Sequence, residues 1–253
     1  MRRRTFLATT ALAAGSLAGC LGDDSSESGT PPESDDGATP TPADADPDSF
    51  ERIEVEGESV PLVPVDTTHD WHTEGTAKFA DARGRGQYKE ARIEGAAWSP
   101  APDGREDDPV ASWDTDERIV CYCGCPHHLS SLRAASLMTN GYEEVYVIDE
   151  GFFEWADRGY PVTGSEVEGA ASVIEGRTAP GHTGDPVYAT HERSDQREAA
   201  FVADDGRYEL RLRFADLAPA AEIRVDAPDY TVVAPLSELT EGVLTAADGQ
   251  QTT

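Results

Sequence analysis

Arg118-Ile119-Val120-Cys121-Tyr122-Cys123-Gly124-Cys125-Pro126-His127-His128-Leu129-Ser130-Ser131 is the stretch on which the fold turns. Its first five residues, with β-branched Ile119 and Val120 and aromatic Tyr122, read as a buried strand. A short polar loop follows, and from Leu132 to Asn140 the residues read as a helix ending at Gly141, where a left-handed cap would sit. Ser130 or Ser131 is the expected N-cap. Three cysteines between strand and helix cannot pair completely, so a structural disulfide framework is unexpected. A cysteine at Cys123 would instead lie where the N–H groups of a loop and a helix N-terminus converge. Those donors stabilise a thiolate, an oxyanion or a persulfide.

Working outward, Lys78 to Asp81 reads as a short strand and Glu144 to Ile148 as another, so strands and helices alternate from about Val60 to Val162. That order predicts a parallel sheet covered by helices. Beyond Gly164 the pattern changes. Tyr208, Leu210, Leu212 and Phe214 alternate with Glu209, Arg211 and Arg213, the period of a half-buried strand. Asp204-Asp205-Gly206 reads as a hairpin turn, and further strands are expected at Ser172 to Gly176, Val187 to His191, Ile223 to Val225 and Tyr230 to Ala234. The fold class is therefore α/β over residues 51–163, followed by a small all-β antiparallel sandwich over 165–245 and a disordered tail, 246–253. His182 and His191 stand alone there and read as solvated or hydrogen-bonded.

Residues 1–20, Met-Arg-Arg-Arg through Leu17-Ala18-Gly19-Cys20, combine an arginine cluster with an apolar stretch too short for a bilayer core, which needs about 20 residues. Arg3-Arg4-Thr5-Phe6-Leu7 resembles a twin-arginine signal and Leu17 to Cys20 a lipobox, implying export, lipidation of Cys20 and anchoring to the outer face of the cytoplasmic membrane. Residues 21–50 hold nine acids and no Lys or Arg among Ser, Thr, Pro and Gly, the composition of a disordered tether. The whole chain of 253 residues has a formal charge of −29, which excludes nucleic acid as a partner. Acid excess in every segment also suits an extreme halophile, where salt screens the self-repulsion.

Asp81-Ala82-Arg83, Gln87-Tyr88, Ile93-Glu94-Gly95-Ala96 and Pro100, then Ile119-Val120 leading to Tyr122-Cys123, Ala134-Ala135, Gly141-Tyr142, Val145-Tyr146, Gly151-Phe152, Trp155 and Gly159-Tyr160-Pro161-Val162 follow one order. Over residues 60 to 163 this resembles the rhodanese (sulfurtransferase) family. The resemblance implies that Cys123 is the persulfide-forming cysteine, that the loop Gly124, Cys125, Pro126, His127, His128, Leu129 and Ser130 cradles it, and that Asp81 and Arg83 support the structure and rim of the site. Trp155 and Tyr88 match positions that pack the fold.

The implied reaction is double displacement, from a small sulfur-containing anion or persulfide donor to a thiol or other thiophile, with no cofactor beyond the Cys123 persulfide. This sequence departs from the family in His127-His128-Leu129, where an arginine is usual, in about two more residues before the helix, and in Ala91-Arg92 for a Gly-His step. Imidazole loses most of its charge above about pH 6.5. Asp149-Glu150 makes the rim acidic and favours a neutral donor or an organic persulfide. Cys125 is placed to resolve the persulfide or to pair with Cys123 as a redox switch, and Cys121 reads as a buried hydrophobe. Two alternatives stay open: a zinc or copper site made by Cys123, Cys125, His127 and His128, or a non-catalytic binding module of the same fold.

Overall fold

The computed structural model describes residues 49–165 and 171–251. The expected export signal with Cys20 and the expected tether up to residue 48 lie outside the described residues. The first region contains β1 (Glu51–Val55), β2 (Glu58–Val63), α1 (Val65–Glu74), β3 (Lys78–Asp81), α2 (Arg85–Glu90), β4 (Ala91–Ile93) and β5 (Ala97–Trp98), then β6 (Ile119–Tyr122), α3 (His128–Thr139), β7 (Val145–Ile148), α4 (Gly151–Asp157) and β8 (Val162–Gly164). Its main sheet runs β1-β2-β7-β6-β3-β5. All neighbours are parallel except β1 with β2, so the sheet is mixed, with an antiparallel hairpin at one edge.

Side chains alternate across this sheet as the pleat requires. Ile119 and Cys121 on β6 pack with Leu129, Leu132 and Ala134 of α3, whereas Val120 and Tyr122 pack on the other face with Trp71, Phe152 and Trp155. Trp155 is fully buried, as the sequence led us to expect, and Phe50, assigned there to the tether, already meets Trp71 and Tyr146 edge-on. α3 begins at His128, not after Ser130 or Ser131: the Ser130 and Ser131 hydroxyls face inward to Cys123 Sγ and the His128 carbonyl. The extra length expected before the helix is taken up by its own first turn. At the other end Gly141 has φ +90°, the cap conformation expected of it.

The second region contains β9 (Ser172–Arg177), β10 (Pro186–His191), β11 (Gln196–Phe201), β12 (Arg207–Leu212), β13 (Glu222–Asp226), β14 (Tyr230–Pro235), α5 (Leu236–Leu239), β15 (Val243–Leu244) and β16 (Gln250–Gln251). One sheet is ordered β11-β10-β13-β14-β16 and a second β12-β9-β15. Both contribute to one apolar cluster, with Ile174 and Leu210 from one and Val187, Ile223 and Val225 from the other. Asp204-Asp205-Gly206 does turn the chain, but β11 and β12 belong to different sheets, so the turn is a corner and not the expected hairpin. The expected disordered tail is interrupted by β16, which pairs with β14. His182 bonds Asp185 at 2.8 Å and His191 bonds Ser194 at 2.6 Å, both local partners.

α3 is buried almost all round, from Leu129 to Leu137. Its small residues explain how. Ser130, Ser131, Ala134 and Ala135 let a second layer approach closely, and Ala199 of β11 joins the same cluster as Leu129, Leu132 and Ala134. The second region thereby lies over the helix that starts at the cysteine loop.

Candidate active site

β6 carries the chain to the C-terminal end of the parallel strands, where open α/β sheets place their sites. There Cys123 leaves the sheet with no exposed surface. Its thiol donates to the Cys125 carbonyl at 3.0 Å and lies 3.3 Å from the Ser130 hydroxyl. The backbone N–H groups of Leu129 and Ser130 also point at the sulfur. His127, with φ +38°, is the left-handed hinge that swings these amides round. The donors that reach the sulfur therefore come from Leu129 and Ser130 in the first turn of α3, where the sequence reading had looked to the loop from Gly124 to His128.

The thiol is not activated in this arrangement. Burial, and next the Glu198 carboxyl, push Cys123 up to about 11, against the opposing pull of the Ser130 hydroxyl and the two amides. Sequence reasoning expected a lowered value because it counted the donors and had no means of counting the cover. Cys125 is raised further, again by burial first and Glu198 second, and Cys121 is pushed up to about 12 by burial.

The remaining predicted residues go to separate places. Gly124 is buried against Glu198 and Phe153, and Pro126 is exposed. Cys125 turns away from Cys123 and donates to the Arg211 carbonyl at 3.3 Å. His127 faces Asp149 at 3.6 Å, and His128 lies edge-on to Phe201 with Nδ1 buried and unpaired. Burial depresses both imidazoles, His128 to about 4, so neither supplies a cation near neutral pH. Cys123, Cys125, His127 and His128 do not converge: among the described residues no group of three or more His, Cys, Asp or Glu is placed to hold a metal ion.

Asp81 and Arg83 are not at a rim. They form a buried pair beneath the site, with Arg83 Nη2 2.6 Å and Nε 2.9 Å from the carboxylate, and the guanidinium lies 4.1 Å from the centre of the Phe152 ring. Glu150 is likewise engaged, accepting the Val65 N–H at the start of α1 at 2.8 Å.

Glu198 is the residue the sequence concealed. It comes from β11, is 1% exposed, and accepts from Gln87 Nε2 at 3.0 Å through Oε1, while Oε2 is buried without a partner. Gln87 is the connector: its Oε1 accepts from both Gly84 N and Arg197 N, at 3.1 and 2.9 Å. A Cβ on Gly124 would lie 2.6 Å from Glu198 Oε1, so the carboxyl rests directly on bare loop backbone. Gly84 and Gly86 are needed for the same approach. A Cβ at either would meet the carbonyls of Asp195 or Ser194 at 2.4 and 2.0 Å, and the Gly86 N–H donates to the Asp195 carbonyl at 2.8 Å.

Residues 65–158 match the family model of the rhodanese-like domain. The chain contains a rhodanese-like domain. No curated protein matches the chain. Among solved structures, the rhodanese-like domain of an Anabaena protein is 22% identical with a TM-score of 0.38, over 42% of this chain and 80% of that one. Thiosulfate sulfurtransferase from Pseudomonas aeruginosa is 18% identical with a TM-score of 0.36, over 41% of this chain and 20% of that one. A human single-domain sulfurtransferase is 17% identical with a TM-score of 0.35, over 39% of this chain and 97% of that one. The rhodanese-like domain holds Cys123, its cradle and the Asp81–Arg83 pair; Glu198 lies outside it.

Proposed function

We propose that this chain is a sulfurtransferase that moves sulfane sulfur through a persulfide on Cys123. The convergence of the Leu129 and Ser130 amides and the Ser130 hydroxyl on Cys123 Sγ carries this reading. Once ionised, the Cys123 thiolate attacks the outer sulfur of thiosulfate or of an organic persulfide. The donor S–S bond breaks, sulfite or a thiolate leaves with the electron pair, and Cys123 keeps the outer sulfur as a persulfide. A thiol or other thiophile then attacks that sulfur, and the Cys123 thiolate is the leaving group. Fixed amide donors aimed at the charged sulfur are the stabilisation such a step requires. Cysteine alone supplies the chemistry, without a cofactor.

In this reading the signal exports the chain, lipid on Cys20 holds it at the outer membrane face, and the acidic surface keeps it soluble in high salt. The second region, two packed sheets that are antiparallel except where β15 runs parallel to β9, covers the site. One observation favours a second reading, a non-catalytic module of the same fold: Cys123 is fully buried with its thiol held protonated. Sulfur transfer from thiosulfate and from an organic persulfide to cyanide, measured on the full chain in detergent and molar salt, separates the two. Loss of activity in Cys123→Ser with retention in Cys125→Ser is the expected result. Unchanged activity in Cys123→Ser would sink the assignment, and no cyanolysable sulfur in any form would favour the binding module.

A further inference from the structure

We propose that Glu198 is the charge filter of the Cys123 site, disfavouring anionic reagents and sulfur donors in proportion to their charge, so that a dianion such as thiosulfate is disfavoured more than a singly charged organic persulfide. This rests on the sulfur-transfer reading above and names its donor class. The geometry supplies the argument. The acids that the sequence placed at the rim are engaged elsewhere, Glu150 by the Val65 N–H and Asp149 beside His127. The carboxyl that acts on the sulfur comes from the other region, and its Oε2 has no hydrogen-bond partner.

The cations around Glu198, Arg83 and Arg213, oppose its charge only in part. Arg83, beneath it, is neutralised by Asp81 through two short hydrogen bonds. Arg213, after β12, is exposed and stacks on Phe153 at 4.5 Å, at the outer side of Gly124. Cys123 and Cys125 face the carboxyl from the loop, and both are pushed up by burial first and by this carboxyl second. A thiosulfate ion brought to Cys123 would therefore approach Glu198 in desolvated surroundings, where like charges couple strongly. A singly charged organic persulfide would meet less of this repulsion.

Burial lifts Glu198 to about 8, with Arg83 and the Gln87 hydrogen bond opposing. The filter is therefore weak in acid and closes to anions as the carboxyl ionises. Glu198→Gln keeps an acceptor for Gln87 and removes the charge; Glu198→Ala removes the side chain and serves if the first variant misfolds.

Alkylation of Cys123 in the full chain reads the filter without requiring turnover. Iodoacetamide is neutral and iodoacetate anionic, and peptide mass mapping assigns the label. Between about pH 6 and about pH 10 the ratio of the neutral to the anionic rate is expected to rise about tenfold in the native chain and to stay flat in Glu198→Gln. Where Glu198 is ionised, sulfur loading of Cys123, followed by mass, is expected to favour cysteine persulfide over thiosulfate in the native chain and to lose that preference in the variant. An equal ratio in native and variant chains at every pH would overturn the filter, as would a Cys123 that neither reagent labels in any form. A rising ratio with no sulfur loaded from either donor would support the filter and reject the sulfur-transfer reading.

Discussion

Beneath the cysteine loop the first region buries an ion pair, Asp81 with Arg83, whereas the second region is held by aliphatic side chains such as Ile174, Leu210 and Ile223 and by a pair of tyrosines. The contrast extends to what each region contributes at their meeting. The first supplies donors that favour a negative sulfur; the second supplies a carboxyl that disfavours it. A buried charge costs stability unless its partners are complete, so it survives where it positions something, and the tyrosine-and-aliphatic core has no such duty. The difference teaches that the chemistry is set by the first region and the conditions of its use by the second.

The comparison breaks most visibly if the ion pair is removed. Asp81→Asn leaves Arg83 buried without its counter-charge and is expected to destabilise the chain by about 3–5 kcal/mol in chemical unfolding. A smaller loss would mean that the pair is not the strut of the first region.

Glu198 sharpens the contrast through pH. Its carboxyl is lifted from an ordinary value near 4.5 to about 8, so the folded chain keeps a proton that the unfolded chain releases. Stability from this group is full below pH 4.5 and is lost as pH rises through 8. Glu198→Gln should therefore match the native chain near pH 4 and exceed it by up to about 4 kcal/mol at pH 9. Parallel stability curves for the two proteins would show that the carboxyl is solvated.

Gly86→Ala tests the seam. Its Cβ would lie 2.0 Å from the Ser194 carbonyl, so the turn between β10 and β11 must lift. A cost of about 1–3 kcal/mol is expected, with faster alkylation of Cys123 by iodoacetamide. Smallest is Tyr208→Phe, which removes the 2.6 Å hydroxyl contact with Tyr230 from the second core. About 1 kcal/mol, with Cys123 reactivity unchanged, is the expected result.

Much of the first region was legible because its signals are local. Ile119 to Tyr122 is an unbroken β-rich run, and Gly141 stands where a helix end needs a positive φ. The cysteine loop stood out as a motif, but neither the start of its helix nor the Leu129 and Ser130 donors did. Ser130 and Ser131 are good N-caps in isolation; in place, the Ser130 hydroxyl is directed at Cys123 and an αL histidine opens the helix. The β1–β2 hairpin escaped notice because its tight turn is Glu56-Gly57, with both φ values positive, where Asn or Asp would have announced it.

Glu198 was the least legible. Gln196-Arg197-Glu198-Ala199-Ala200-Phe201 is a polar-looking segment, and nothing within it says that its acid is buried. The partner that fixes it, Gln87, is 111 residues away, and the orphaned oxygen becomes meaningful only beside Cys123. Pairings of that separation leave no periodicity for a local reading to find.

Arg83-Gly84-Arg85-Gly86-Gln87 gives the cover a written trace. A side chain at either glycine would strike the backbone of the opposing turn, so a relative with larger residues there has no room for a strand laid across its cysteine in this way. Two bare positions a few residues after an Asp-x-Arg step thus offer a way to sort such domains, from sequence alone, into those that accept a lid of this kind and those that stand open.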